Sequence, residues 1–476
     1  MASNPDDFLT YRQLGAFSEA IAKFLHNHGF VKETACTVIP NCHQFPTFFL
    51  GVASQGGALS GASPLFTTHE IHRQFADSQC TTVLTDGPNV GKVLEAMEGL
   101  PHVKLVIVVG VSSSALSSLP SRGVGLFSWE EVISTPVDSS RPSVPIDIVN
   151  DVALLPYSSG TTGPPKGVMI THRNFVASAS AYCKMRDVGY EMEPDSKMDW
   201  SREYMLLFLP FYHIYGYCMI CTTLIEGSTT VILGGFDPNL FLSCMETYKI
   251  RELNVAPPIL LFLVKSPLCA KFDLTSLKKV TSGAAPAGKD LCDEFLKKYP
   301  HVERFAQGYG MTETTDGSHY SDAQSRAKFG CIIDTETGEE LASGRAGEIV
   351  VHGENIMKGY LKRDQATAET IREGWLHTGD IGYADEDGDL SSSSIASRNS
   401  SSHWSPQLGG WGTPEGLRRG GDPQLTAQEV YDFVKERVSK YKNLNGGIEF
   451  IDAIPKSPSG KILRKELRAR DDKAKI

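Results

Sequence analysis

Leu14, Phe17, Ala20, Ile21 and Phe24 recur at the spacing of one helix face, and His28-Gly29 supplies a stop. The pattern predicts an amphipathic helix entered through Leu9-Thr10-Tyr11. Further along, short apolar runs alternate with helical stretches, and Leu105–Val109, Tyr204–Leu209, Thr229–Leu233 and Val280–Ser282 read as strands. Strands separated in this way predict parallel sheets covered by helices. Val152, Ala153, Leu154 and Leu155 read as another buried strand, and Val168, Met169 and Ile170 as a further apolar run. Gly344–Gly353, containing GEIVVHG, is turn-rich and reads as antiparallel strands instead.

Between two of those apolar runs lies Tyr157-Ser-Ser-Gly-Thr-Thr-Gly-Pro-Pro-Lys-Gly-Val168. Ser158, Ser159, Thr161 and Thr162 offer hydroxyls, Gly160, Gly163 and Gly167 let a backbone come close to a ligand, and Lys166 adds a cation. This composition suits a loop that holds phosphate oxygens. The Walker spacing does not fit, because Lys166 follows two prolines and no Ser or Thr follows it. A Ser/Gly surface linker is the alternative, and the apolar runs on both sides argue against it.

Composition narrows the class. The chain has 476 residues, a net charge of −10, 41% hydrophobic and 21% charged residues, which leaves room for more than one domain. An acidic balance argues against a general nucleic-acid binder. The ten cysteines are scattered; Cys218 and Cys221 have CxxC spacing but sit in the apolar run YCMICTTLI, so reduced thiols acting as small apolar side chains are expected. No apolar stretch reaches membrane-spanning length, and MASNPDD is not a secretory signal. The terminal Ala474-Lys475-Ile476 reads either as a variant of the Ser-Lys-Leu peroxisomal address or as a frayed basic tail, so peroxisome and cytoplasm both stay open.

SSGTTGPPKGV, within PYSSGTTG…KGVMITH, resembles the signature of the adenylate-forming enzymes, most closely 4-coumarate–CoA ligases and luciferase-like acyl-CoA synthetases. The resemblance runs from about Leu9 to Leu390 and returns from about Leu425. It implies an α/β fold: a large domain of stacked α/β subdomains with a small β-barrel, then a small α+β C-terminal domain, here incomplete. Set beside that pattern, the chain is expected to begin late and to skip a short stretch at Phe329-Gly330-Cys331.

The implied reaction has two steps. A carboxylate attacks the α-phosphate of ATP to give an acyl-adenylate and pyrophosphate, and coenzyme A then takes the acyl group as a thioester. Within Gln307-Gly308-Tyr309-Gly310-Met311-Thr312-Glu313, the resemblance gives Thr312 the α-phosphate, Glu313 a Mg²⁺ ion and Tyr309 the adenine. A buried Tyr and a solvated Glu are the plainer alternative. Gly283-Ala284-Ala285-Pro286 matches the turn that flanks adenine and closes the acyl pocket. Asp380, in Trp375-Leu-His-Thr-Gly-Asp380, would accept from both ribose hydroxyls. His213 matches a histidine at the pocket mouth, and Tyr215 would line the pocket, with an aromatic core cluster as the alternative for both. Lys461, in Pro458-Ser-Gly-Lys461, matches the mobile lysine of adenylation.

The segment from Ser391 to Gln424 departs from the pattern, so the expected division is a large domain over 1–390, an aberrant stretch over 391–424 and a remnant of the small domain over 425–476. By composition the middle stretch is a Ser/Gly/Pro-rich linker. It also has a second reading. Ser392–Ser401 can be encoded TCA-TCG-TCG-ATC-GCA-TCA-AGG-AAC-TCA-TCA, and one base prefixed to that string turns it into FIVDRIKELI, the family's interdomain hinge. A frame slip or mis-spliced gene is therefore expected, and an impaired or inactive homologue stands as an alternative to a working ligase.

Overall fold

The computed structural model describes residues 1–137, 144–158, 165–191, 199–320, 330–386, 390–392 and 426–437. Thr10 opens the first helix, Tyr11–Asn27, through a reciprocal capping box with Gln13, and Gly29 at φ 80° follows its end. Ala20, Ile21 and Phe24 are buried as the periodicity requires.

The largest sheet has nine strands, and its centre is parallel. Ala58–Ala62, Thr34–Val38, Thr82–Asp86, Leu105–Val109 and Gly125–Ser128 lie side by side in that order. Alternation along each strand sends side chains to two different cores. Leu105 and Ile107 join Ile21, Phe24 and Phe48 on one face, whereas Val106 and Val108 join Ile71, Phe75 and Val93 on the other. The second edge of this sheet is not parallel. Val152–Leu154, Lys166–Thr171 and Gly359–Tyr360 pair antiparallel, and Tyr157–Ser158 folds back on Lys166–Gly167. The expected parallel sheet thus carries an antiparallel edge, because a short loop can join neighbouring strands only in antiparallel sense.

A second α/β layer is built on Tyr204–Leu207 paired with Thr229–Ile232, and on Glu252–Val255, Lys279–Ser282 and Arg304–Met311, all parallel within their sheets. Asp316–Tyr320 returns antiparallel along Arg304–Met311. Leu206, Val231, Leu253 and Val280 share a core with Phe241 and Phe295 from the covering helices. The turn-rich segment builds the expected small antiparallel element, a five-stranded sheet containing Gly330–Ile333, Gly347–Val351 and Trp375–Ala384, with Leu390–Ser392 on Gly382–Ala384.

The chain divides into two compact units, Met1–Ser393 and Ser394–Ile476. In the second, the helix Ala427–Arg437 starts at Thr426, which exchanges hydrogen bonds with Glu429 in a capping box. All ten cysteines are free thiols and most are buried. No helix among the described residues is long and apolar enough to cross a membrane.

Candidate active site

The Ser- and Gly-rich loop springs from a hairpin. Tyr157 pairs with Gly167 and Ser158 with Lys166, so both ends of the loop are fixed at the edge of the large sheet. Ser159, Gly160, Thr161, Thr162 and Gly163 lie outside the described residues, as does Lys461. Ser158 Oγ donates to Glu313 Oε1 at 2.9 Å, and Tyr360 Oη donates to the same oxygen at 2.8 Å. The Lys166 ammonium stands 4.3 Å from the centre of the Tyr360 ring, within cation–π range. The loop stem, the acidic residue of the second motif and a tyrosine from the strand Gly359–Tyr360 therefore meet at one place.

Glu313 sits in a short turn, Thr312–Thr314, held from outside. Met357 N–H donates to the Glu313 carbonyl at 2.9 Å, Asn355 Nδ2 to the Thr314 carbonyl at 3.0 Å, and Thr315 Oγ1 to the Asn355 carbonyl at 2.6 Å. Thr312 lies half-buried at the start of the turn. With two hydroxyls on Oε1, no partner among the described residues falls to Oε2. Nor is there a cluster of three or more potential metal ligands among those residues. One carboxylate beside the Ser- and Gly-rich loop would suit Mg²⁺, which keeps waters and needs no all-protein cage.

Parallel pairing of Lys279–Ser282 with Arg304–Met311 brings the small-residue turn and the Gln307–Met311 segment together. Gln307 Oε1 accepts from Ala287 N–H at 3.2 Å, tying the turn to Gly308 and Tyr309. Ala284 has φ 66°, a left-handed conformation costly for a residue with a Cβ, and Ala285 follows it half-buried. Tyr309 Oη donates to Asp380 Oδ2 at 3.0 Å, and Asp380 is buried, with its amide bonded to Thr378 Oγ1 at 3.1 Å. The residues assigned to adenine and ribose are thus in contact.

On the acyl side, His213 caps the helix Ile214–Glu226 by accepting from Tyr215 N–H at 3.3 Å. Its ring opens onto a crevice that Phe45, Leu154, Phe211 and Tyr217 also line. The surrounding protein displaces water there and pulls the imidazole below its ordinary value. Tyr215 is buried: its ring lies against Gly283, where a Cβ would stand 3.2 Å from Cε1, and its hydroxyl is 3.4 Å from Asn254 Oδ1. The Tyr215 hydroxyl is held well above its ordinary value by burial first, then by Asp316 and Glu252.

Four neighbours carried no motif of their own. Tyr360 belongs to an unremarkable GY, and only its strand partner on Lys166–Thr171 places it. His319 stacks at 5.8 Å beside Tyr309, and burial pushes it down to about 4. Asp316, whose side chain takes the Gly317 amide, is pushed by burial up to about 7. Asn254 offers one oxygen to both Tyr215 and Tyr182. Their only trace in the sequence was a polar residue within or beside a motif or strand.

The family model described as "AMP-binding enzyme" matches residues 2–361. 4-Coumarate–CoA ligase 2 of Nicotiana tabacum is 34% identical over 507 aligned positions, covering 97% of this chain and 89% of the relative. A natural red emitting luciferase from Phrixothrix hirtus superposes with a TM-score of 0.66 at 28% identity, over 80% of this chain and 88% of that one. The amide bond synthetase McbA from Marinactinospora thermotolerans reaches a TM-score of 0.75 over 97% of this chain and 95% of its own, and at 22% identity it speaks for the fold alone.

Proposed function

The chain belongs to the AMP-binding enzymes and is an ATP-dependent, AMP-forming acid–CoA ligase; we propose that its acid is a flat aromatic one with a hydroxyl at its far end, a 4-coumarate-like acid. The observation that carries the choice is the polar corner behind Gly283, where Tyr215, Asn254 and Asp316 gather against an otherwise apolar side. A hydroxyl at the far end of the acid can exchange hydrogen bonds with this polar corner, which an alkyl tail would only desolvate. Medium-chain fatty acids remain the competing class on the same scaffold.

In this reading Ser158, Ser159, Thr161, Thr162 and Lys166 hold the triphosphate, with Gly160 and Gly163 giving the backbone access. Glu313 would hold Mg²⁺, which supplies charge neutralisation at the phosphates when bound. Thr312 donates to the α-phosphate, Tyr309 lies along adenine, Asp380 accepts from the ribose and His213 stands at the pocket mouth. Gly283 keeps the pocket narrow, and Lys461 is the lysine proposed for adenylation. Pyrophosphate exchange with a panel of acids tests the choice. 4-Hydroxycinnamate should exceed 4-methoxycinnamate and octanoate by about 10⁴-fold in kcat/KM, the discrimination expected where a site hydrogen-bonds its substrate. Equal rates for octanoate would reject the aromatic class.

A second reading concerns the later step. By sequence the 391–424 stretch is read as replacing the hinge between the large domain and the small one. Without a hinge the small unit cannot alternate between adenylation and thioester formation. Thioester yield should be low in this chain and recover when FIVDRIKELI and its continuation are restored. Equal turnover by both chains would remove this reading. Ala474-Lys475-Ile476 is proposed as a peroxisomal address read by an import receptor, and its deletion should leave a fluorescent fusion in the cytosol.

A further inference from the structure

Asp77 stands where a carboxylate is poorly placed. It lies in the last turn of the helix Thr68–Ser78, whose C-terminal end carries partial negative charge and unbonded carbonyls. An acid there is unfavourable by roughly 0.3–1 kcal/mol unless something offsets it. Three side chains from two distant segments do so. Tyr157 Oη donates to Asp77 Oδ2 at 2.9 Å, Arg363 Nη2 donates to Oδ1 at 3.0 Å, and Lys362 Nζ donates to the Asp77 carbonyl at 2.9 Å. One residue thus has both carboxylate oxygens and its main-chain oxygen engaged.

The segments it gathers are those that carry the phosphate-binding groups. Tyr157 is the root of the hairpin, paired with Gly167, and its ring lies 3.2 Å from where a Gly167 Cβ would stand. The next residue on each strand is Ser158 and Lys166, which face one another across the stem. Lys362 and Arg363 come one residue, Leu361, after Gly359–Tyr360, the strand whose tyrosine holds Glu313 and lies under Lys166. Burial, and then Asp77 itself, hold the Tyr157 phenol far above its ordinary value, so it stays a neutral donor. Arg73, one turn earlier on the same helix, is near enough for its charge to interact with Asp77, Tyr157 and Arg363.

We propose that Asp77 is a positioning residue for nucleotide binding, a latch that bolts the root of the 159–165 loop to the strand Gly359–Tyr360 and so sets the spacing of Lys166 and Glu313. The latch touches no substrate. It acts by holding two surface segments in one register, and a clamp on phosphates loses binding when its donors are misplaced by a fraction of an ångström to an ångström. The proposal rests on the nucleotide reading of the site.

A double-mutant cycle on the full-length chain tests it, with ATP affinity from calorimetry and ATP KM from pyrophosphate exchange. Asp77→Ala should weaken ATP by about tenfold, with a smaller change in kcat and little loss of thermal stability. Asp77→Asn still accepts from Tyr157 but cannot ion-pair with Arg363, and it should fall between. On a Lys166→Ala background, Asp77→Ala should add less than about twofold, because the group it positions is gone. Full additivity on that background, or an affinity loss that merely follows a loss of folded protein, would overturn the latch. If the wild-type chain binds ATP and Asp77→Ala binds it equally, the latch fails while the nucleotide reading stands. If the wild-type chain binds no ATP, the reading fails and the latch with it.

Discussion

The side proposed for the nucleotide and the side proposed for the acid are held together by different forces. On the nucleotide side, side chains far apart in sequence meet through directed hydrogen bonds: Ser158 and Tyr360 on Glu313, Tyr309 on Asp380, and Tyr157 and Arg363 on Asp77. Around Tyr215 and Asp316 the closest contacts are steric. Gly283 admits the Tyr215 ring, and Gly310 lies so close to the Asp316 carbonyl that a Cβ would stand 2.0 Å from that oxygen. A directed network can be cut one bond at a time without unfolding the chain. A steric fit fails when one methyl group is added.

The largest effect should come from Glu313→Ala. It removes the acceptor of both Ser158 and Tyr360 and the carboxylate assigned to the metal. Pyrophosphate exchange should fall by about 10²–10³-fold, the loss typical of one preorganised charge-stabilising group. Unfolding by urea should change little, because Glu313 is only half-buried. A matching loss of stability would place Glu313 in the scaffold instead. Gly310→Ala should do the reverse. The collision with the Asp316 carbonyl should destabilise by about 1–3 kcal/mol, seen as a lower urea midpoint, because overpacked interiors must shift backbone to make room. Unchanged stability would mean that the strand pair at Met311 and Asp316 is softer than its register suggests.

This contrast also explains what the sequence made legible. Apolar periodicity located the helix Tyr11–Asn27 and the strand Leu105–Val109 because burial on one face or on both leaves a clear pattern. The strands at Tyr204 and Thr229 end at Leu207 and Ile232, short of the apolar runs, since apolar residues continue past the last ladder bond. The loop around Lys166, the Glu313 turn and Asp380 were readable because each lies in a local motif of the family, which the chain shares. Tyr360 and Asp77 were not, because each acts through partners between 47 and 286 positions away. No local pattern records such a pairing. The antiparallel edge was missed for a similar reason: Val168, Met169 and Ile170 look the same in either strand sense.

The smallest effect should be a cancellation. Asp316 and His319 lie on one strand beside Gly310 and Tyr309, and burial displaces them in opposite directions. Asp316 titrates at about 7 instead of 3.8, so the folded chain binds more protons than the unfolded one across that window, and stability falls as pH rises through it. His319 titrates at about 4 instead of 6.5, so the folded chain binds fewer protons there, and stability rises with pH. Each group contributes a slope of up to about 1.4 kcal/mol per pH unit, and between about pH 4.5 and 6 the two oppose one another. The contribution of this pair to the wild-type urea midpoint should therefore be nearly flat over that range. Asp316→Asn should make the midpoint rise with pH more steeply than in the wild type, because only the His319 slope remains. His319→Gln should make it fall, because only the Asp316 slope remains. Parallel pH profiles for the wild type and both variants would show that burial does not set these two groups apart, and that the acyl side is wetter than its packing implies.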